Sequence, residues 1–433
     1  MSFPKYPAYK DSGVQWLGHV PSHWALNRLG MHFTERREKV SDKDFPPLSV
    51  TKNGVVPQLD TAAKTDDGDN RKLVRAGDFV INSRSDRKGS AGVASTDGSV
   101  SLINTVICPD GGVSGDFAHH LLRSVPFQEE YYRYGKGIVA DLWSTNFSEM
   151  RNITVAVPPQ IEQSGIVGFL DLETAKIDAL VAEQENLITL LKEKRQAVIS
   201  HAVTKGLDPS VPMKDSGVEW LGEVPAHWEV KALKFVATVQ TGIAKGKDNT
   251  GKETIVVPYL RVANVQDGYL ALDDMAEIEI PSSDLPRYLL RSGDVLMNEG
   301  GDFDKLGRGH VWRAEIEPCI HQNHVFAVRP HSVAPEWLNT VTSSSYAQFY
   351  FMSRSKQSTN LASISSTSIM ELPVVLPPQS ELEQLLTFLE RSTAQLKSLI
   401  EEAVLSIELL RERRSALISA AVTGQIDVRR LAQ

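Results

Sequence analysis

Apolar side chains recur every three or four residues along two long stretches of the chain, a rhythm that predicts helices. Stepping by four and three in turn from Ile166 gives Leu170, Glu173, Ile177, Leu180, Gln184, Leu187, Leu191, Lys194 and Val198, and seven of these ten positions are apolar. The same register from Leu385 passes Leu389, Ser392, Leu396, Leu399, Ala403, Ser406, Leu410, Arg413 and Leu417. A 3.5-residue repeat kept over about four heptads predicts a coiled-coil seam, here Leu170, Ile177, Leu180 and Leu191 against Leu389, Leu396, Leu399 and Leu410. Some forty residues at about 1.5 Å each give a rod of roughly 60 Å. Pro158–Pro159 and Pro377–Pro378 supply start signals, and Gly206 and Gly424 follow the last periodic residues. The plainer reading is a pair of core helices. Against it stand the length and the charged outer faces, EQEN and KEKR in one stretch, EE and RERR in the other.

Between the rods the pattern changes. Short β-rich runs such as DFVIN, TVICP, TIVVPYLRV, DVLMN and HVFAVRP alternate with clusters of Gly, Asn, Asp and Ser. That texture predicts two mixed α/β domains of about 130 to 150 residues, a size that supports an independent core. The boundaries read as 1–157, 158–208 for the first long helix, 209–376, and 377–433 for the second.

The chain also repeats itself. KDSGVQWLGHVPSHW at Lys10–Trp24 returns as KDSGVEWLGEVPAHW at Lys214–Trp228, 204 positions later. RAGDFVIN at Arg75–Asn82 returns as RSGDVLMN at Arg291–Asn298, 216 later, and the helical stretch Pro158–Asp208 returns at Pro377–Asp427, 219 later. The ends of the two copies agree and the middles do not, so residues were gained only inside the second middle. Two like units in one chain close most simply about an approximate two-fold axis, which makes the rods antiparallel and puts the middles at opposite ends. Trp16, Trp24, Trp220 and Trp228 then read as anchors buried where domain meets rod. Base readers should vary between the two middles, and these do not.

Composition narrows the function. With 433 residues, 41% hydrophobic and 23% charged, the chain suits two or three soluble domains. No apolar run approaches the roughly 20 residues that span a bilayer, and the first residues lack a signal peptide's core, so a cytoplasmic protein with no membrane role is expected. Cys108 and Cys319 stand far apart without a CxxC partner, so neither a disulfide framework nor a cysteine-rich zinc site is supported. GKDNTGKE at Gly246–Glu253 meets part of a P-loop, but Glu253 stands where Ser or Thr would hold magnesium and the following ETIVVPYL reads as a strand. The pairs His119/His120 and His321/His324 lack a nearby ligand partner and suit packing or hydrogen bonding. No GxSxG, HExxH, dinucleotide fingerprint or amino-methyltransferase tetrad occurs. The expectation is no catalytic residue, no metal and no cofactor in this chain.

What remains is binding. The loops SRSDRKGSAG at Ser83–Gly92, TGIAKGKDNTGK at Thr241–Lys252, DKLGRGHVWR at Asp304–Arg313 and SRSKQSTN at Ser353–Asn360 combine Arg and Lys for phosphates with Gly for close approach. Asn, Gln, Ser and Arg there can reach base edges. Such loops follow both RxGDxxxN motifs. The candidate DNA contacts are Asn82, Arg84, Arg87 and Lys88 in the first middle and Lys245, Lys247, Lys252, Asn298 and Arg308 in the second. A formal charge of −8 argues against a wholly basic coat without excluding local basic surfaces.

The order WLGxVPxHW, variable domain, RxGDxxxN, then PPQxEQ leading into a long helix that ends near AVTKGLD, all written twice, resembles the specificity subunit of type I restriction-modification systems. The likeness runs along nearly the whole chain. It implies an α+β fold with two target recognition domains, each reading one half of a bipartite site in double-stranded DNA, and an antiparallel coiled coil that sets their spacing. It further implies that two modification subunits dock on this frame and supply S-adenosylmethionine and the adenine methyltransferase site. A restriction subunit would add ATP- and Mg2+-dependent translocation and cleavage. Two departures stand out: PPQSELEQ shifts the acidic-glutamine step, and the net charge is acidic. A coiled-coil adaptor with two protein-binding heads, or a DNA enzyme with an unrecognised active site, are the other readings the residues allow.

Overall fold

The computed structural model describes the chain apart from residues 1–2, 61–67, 111, 138–142, 247–248, 302, 304–305, 358–361 and 432–433. It divides into two units. The first joins Met1–Glu185 to Val404–Gln433, and the second is the continuous stretch Asn186–Ala403.

In the first unit the strands Ala91–Val93, Phe79–Asn82, Asn104–Pro109 and Phe33–Glu35 form an antiparallel sheet in that order. Their alternation buries Phe79, Ile81 and Ile107 toward the helices Gly115–Arg123 and Val125–Arg133, in a core with Phe117, Leu121, Phe127 and Tyr131. Val80 and Val106 point to the opposite face and form a smaller cluster with Leu48 and Val100. The second unit repeats this plan with Ala237–Thr241, Val325–Pro330, Val295–Asn298 and Gly309–Val311. Val295, Met297 and Val328 there face Trp337, Leu338 and Phe351. The larger separation of the second copy is spent on this unit's side sheet, where Thr254–Leu260 pairs with Ala276–Pro281 over six residues. Thr254–Leu260 is thus a strand, where a P-loop would open a helix.

Each middle domain is tied off where it starts and ends. Ala25–Arg28 pairs with Thr154–Val157, and Glu229–Ala232 with Pro373–Leu376. The RxGD motif belongs to this framework. Gly77 and Gly293 turn at φ +93 and +92, and the next residue, Asp78 or Asp294, is buried and accepts from the N–H of Arg75 or Arg291. The same carboxylates accept two bonds from a guanidinium, Arg36 on Asp78 and Arg329 on Asp294. Arg36 follows the strand Phe33–Glu35 whereas Arg329 lies within Val325–Pro330, so the motif keeps its charge balance while the donor changes.

The long helices run Gln160–Lys205 and Gln379–Val422 and pack together. In the first unit they are antiparallel: Asp178 meets Arg414 at 2.9 Å and Glu185 meets Arg411 at 3.1 Å, while Ile166, Leu170 and Ile177 share a core with Leu417, Ala421 and Val422. In the second unit Ile199, Ala202 and Val203 share one with Leu382, Leu385 and Leu389. Leu170, Ile177, Leu191, Leu389 and Leu396 are buried, and Leu410 packs half-buried on the first core. Leu180 and Leu399 depart from the expected seam, at 44% and 41% exposed. The same position faces outward in both copies, while the register is buried again at Leu191 and Ala403.

Candidate nucleic-acid interface

The repeated opening line builds an identical mount in each unit. A hairpin, Tyr9–Asp11 with His19–Pro21, or Met213–Asp215 with Glu223–Pro225, presents a fully buried tryptophan. Trp24 donates its indole N–H to Glu162 at 2.9 Å, and Trp228 donates to Glu381 at 2.9 Å. His23 and His227 reach the same carboxylates, and Lys10 and Lys214 each hold the tryptophan's carbonyl at 2.5 Å. The ring lies on the glycine beyond a long helix, Gly424 for Trp24 and Gly206 for Trp228. PPQSELEQ therefore does not shift the acidic step: Glu381 does the work of Glu162, and the residues on either side of it differ. Gln163, which donates to the carbonyls of Gly112 and Pro158, gives way to the apolar Leu382. Trp16 and Trp220 are half-buried and pack on aromatic rings of the middle domains, Phe127 and Tyr346.

The middles differ at the ends of their central strands. In the first unit, Asn82 stands opposite Asn104 in the ladder, beside a groove of about 810 Å³. Asn82 is buried; its side-chain oxygen accepts from the N–H of Arg84 and its carbonyl accepts from Tyr132, so it holds the loop that follows. Lys52, Gln58, Arg71, Arg87, Ser90 and Asn104 also line the groove. The Asn104 side-chain oxygen has no hydrogen-bond partner, although the amide nitrogen bonds Ser101. That oxygen is itself buried, so Asn104, like Asn82, supports the groove wall. Asp86 sits between Arg84 and Arg87, at 3.3 and 3.7 Å, and moderates their charge. Lys88 faces Glu129 at 3.7 Å.

In the second unit Asn298 occupies the matching place, opposite Val325, and is fully buried. Its amide donates to the carbonyl of Val265 at 2.9 Å, its oxygen is unpartnered, and its backbone N–H donates to the Arg308 carbonyl at 3.1 Å. With no open surface, Asn298 positions the loop. Beside it lies a cavity of about 520 Å³ lined by Glu299, His324, Lys356 and Gln357, with His324 bonded to Glu299 at 2.7 Å. Lys245 lies elsewhere, over the ring of Tyr259 and lining a cavity with Glu277 and Glu279. Lys252 is exposed on the same loop. Lys247 lies outside the described residues, as do parts of the loops Asp304–Arg313 and Ser353–Asn360.

The structure thus gathers Asn82 and Arg87 at one groove, and Lys245 lines a different cavity from the one beside Asn298. Sequence reading missed Lys52, Gln58, Arg71 and Asn104. Lys52 sits in the TKNG turn between the strands Leu48–Thr51 and Gly54–Pro57, a local turn signal. Asn104 becomes a candidate only through its pairing with Asn82. Among the described residues no helix is long and apolar enough to cross a membrane.

No family model matches the sequence. Among curated proteins, the EcoKI specificity subunit of Escherichia coli K12 is 23% identical over 74% of this chain and 68% of its own length. A putative MjaX specificity subunit of Methanocaldococcus jannaschii is 24% identical over 47% of each, so the chain spans about half of that relative. Among solved structures, one from a study of assembly and conformational transition of the type I restriction-modification system superposes with a TM-score of 0.67 at 16% identity, covering 93% of this chain and 98% of that one. The HsdS subunit from Thermoanaerobacter tengcongensis gives 0.51 at 18%, covering 94% and 98%. In sequence the chain is thus similar to curated type I restriction enzyme specificity subunits, and in fold to solved structures of that system along nearly its whole length.

Proposed function

We propose that this chain is the DNA-recognition subunit of a type I restriction-modification complex. Each middle domain reads one half of a bipartite site, and the paired long helices set the spacing and dock two modification subunits. The observation that carries this is the identical mount, Lys10–Trp24–Glu162 and Lys214–Trp228–Glu381, holding two domains whose loop chemistry differs. A frame written twice around unlike grooves suits one partner docking twice and two half-sites being read. In this reading S-adenosylmethionine, Mg2+ and ATP belong to the modification and restriction subunits, and this chain supplies specificity alone.

The test is a domain exchange. The full chain is co-expressed with its modification subunit, and residues 25–157 are replaced by the corresponding stretch of another specificity subunit. Adenine methylation mapped across the host genome should change in one half of a bipartite motif and keep the other half. A change in both halves, or methyl transfer by the isolated chain, would overturn the proposal. Absence of salt-dependent duplex binding by the assembled complex would favour a protein-binding adaptor.

A further inference from the structure

The first unit carries a second concave site, which shares Lys52 with the recognition groove. A cavity of about 370 Å³ opens between the helix Gly115–Arg123, the turn at Lys52, the loop at Lys88 and the final part of the second long helix. Its lining includes four cations, Lys52, Lys88, Arg123 and Arg414, two imidazoles, His119 and His120, and no carboxylate among the described residues.

Arg123 is the central group. It is half-buried, and it donates to Nε2 of His119 at 2.7 Å and to the carbonyl of Lys52 at 2.7 Å. No carboxylate is among its described hydrogen-bond partners. Because a guanidinium only donates, Nε2 of His119 must accept, which requires the neutral imidazole. Burial, with Arg123 adding to it, lowers the His119 pKa to about 4. Carboxylates outside the cavity pair with three of its other lining groups, Asp178 with Arg414 at 2.9 Å, Asp171 with His120 at 3.2 Å and Glu129 with Lys88 at 3.7 Å, which leaves Arg123 as the lining guanidinium with no described carboxylate partner. A partly desolvated guanidinium that faces an open cavity with donors to spare is built for an anion.

The second unit is built differently at the equivalent place. Counting from the matched turns Ser124 and Ser344, His119, His120 and Arg123 become Asn339, Thr340 and Ser343. Arg195, the counterpart of Arg414, is held by Asp267 at 3.3 Å. Gln196 donates to the Ser343 carbonyl at 2.7 Å, and Ser200 bonds Ser345 at 2.9 Å, so the helix is drawn directly onto the domain.

We propose that the cavity around Arg123 binds a phosphate group, and that in the working protein this is a backbone phosphodiester of the DNA lying in the neighbouring groove. The assignment of DNA rests on the function proposed above; the assignment of phosphate rests on the cavity. Its consequence is an unequal grip, with the first unit holding the backbone at a point where the second has no clamp.

The test uses the full chain, assembled with its modification subunits for DNA and alone for inorganic phosphate. Duplex affinity is measured against salt by fluorescence anisotropy, and histidine resonances are followed by NMR as inorganic phosphate is added. Arg123→Ala should reduce the slope of log K against log salt by about 0.9, the loss of one phosphate contact. Arg123→Lys should restore most of that slope, and Arg195→Ala should leave it unchanged. Phosphate should shift the His119 and His120 signals in the unsubstituted protein, a readout that needs no variant to fold. Duplex binding with an unchanged slope in Arg123→Ala would sink the clamp and spare the DNA-reading role. Phosphate shifts without any duplex binding would keep the anion site and remove DNA as its source. No phosphate shift together with an unchanged slope would overturn the inference entirely.

Discussion

The indole N–H of Trp24 donates to Glu162, 138 positions further along the chain, and joins the opening hairpin to the first turn of a long helix. Glu162 is buried and also accepts from Tyr6 and His23, whereas Glu381 is 40% exposed in its side chain and receives His227 and Trp228. Glu162→Ala should therefore destabilise more than Glu381→Ala, by about 2–3 against about 1 kcal/mol, because only the former leaves several buried donors unpaired. Thermal denaturation with hydrogen exchange resolved by unit checks this. Equal losses would show that the second mount is as closed as the first.

The RxGD aspartates make a matched pair of tests. Asp78→Ala strands Arg36 and the Arg75 N–H, and Asp294→Ala strands Arg329 and the Arg291 N–H. Each should cost about 2–4 kcal/mol of stability. Asn in place of Asp should recover part of the loss, since it keeps the acceptor for the backbone N–H. Chemical denaturation of the variants decides whether the motif is structural or functional.

Gly424 sits at φ +74, and a methyl group there would lie 2.2 Å from Pro21 Cδ; at Gly206, with the same φ, the nearest atom would be 3.3 Å away on Trp228. Ala at either position strains the left-handed backbone by about 1 kcal/mol, and the Gly424 variant adds a clash with a rigid ring. The expected order of melting temperatures is unsubstituted chain, then Gly206→Ala, then Gly424→Ala. A reversed order would mean the Trp24 mount is the looser one.

His321 ties stability to pH. It is fully buried, donates from Nδ1 to the Val325 carbonyl at 2.7 Å and faces the Gln240 amide with Nε2; burial lowers its pKa to about 4. In the unfolded chain an imidazole titrates near about 6.5, so between these values the unfolded state binds the extra proton. Stability is fully present above about 6.5 and falls as pH drops toward 4, by up to about 3 kcal/mol. His321→Gln should flatten that part of the curve while lowering stability at pH 7. An unchanged acid limb would remove His321 as its source.

The frame was legible in sequence because its signals are local or exactly repeated in spacing: the prolines before each helix, the 3.5-residue rhythm, the paired WLG lines. Leu180 and Leu399 are exposed although they lie on the stripe, because periodicity fixes a helix face and not how closely the partner helix covers each position along it. The burial of Glu162, Asp78 and Asp294 is not legible in sequence, since their side-chain partners lie 35 to 156 positions away. Asn82 and Asn298 were noticed for their place after a motif, yet burial makes them supports, and Asn104, the wall of the groove, depended on strand register. Lys245 lines a different cavity from the one beside Asn298, a separation that composition does not reveal.

The first unit borrows its closing segment from the far end of the chain: Leu417, Ala421, Val422, Ile426 and Val428 complete the core begun by Leu17, Val20 and Trp24. During synthesis the second unit, unbroken from Asn186 to Ala403, has all its parts before those residues leave the ribosome. The domain made first is thus finished last, and a nascent chain stopped near residue 403 would carry one completed unit and one waiting for its final piece.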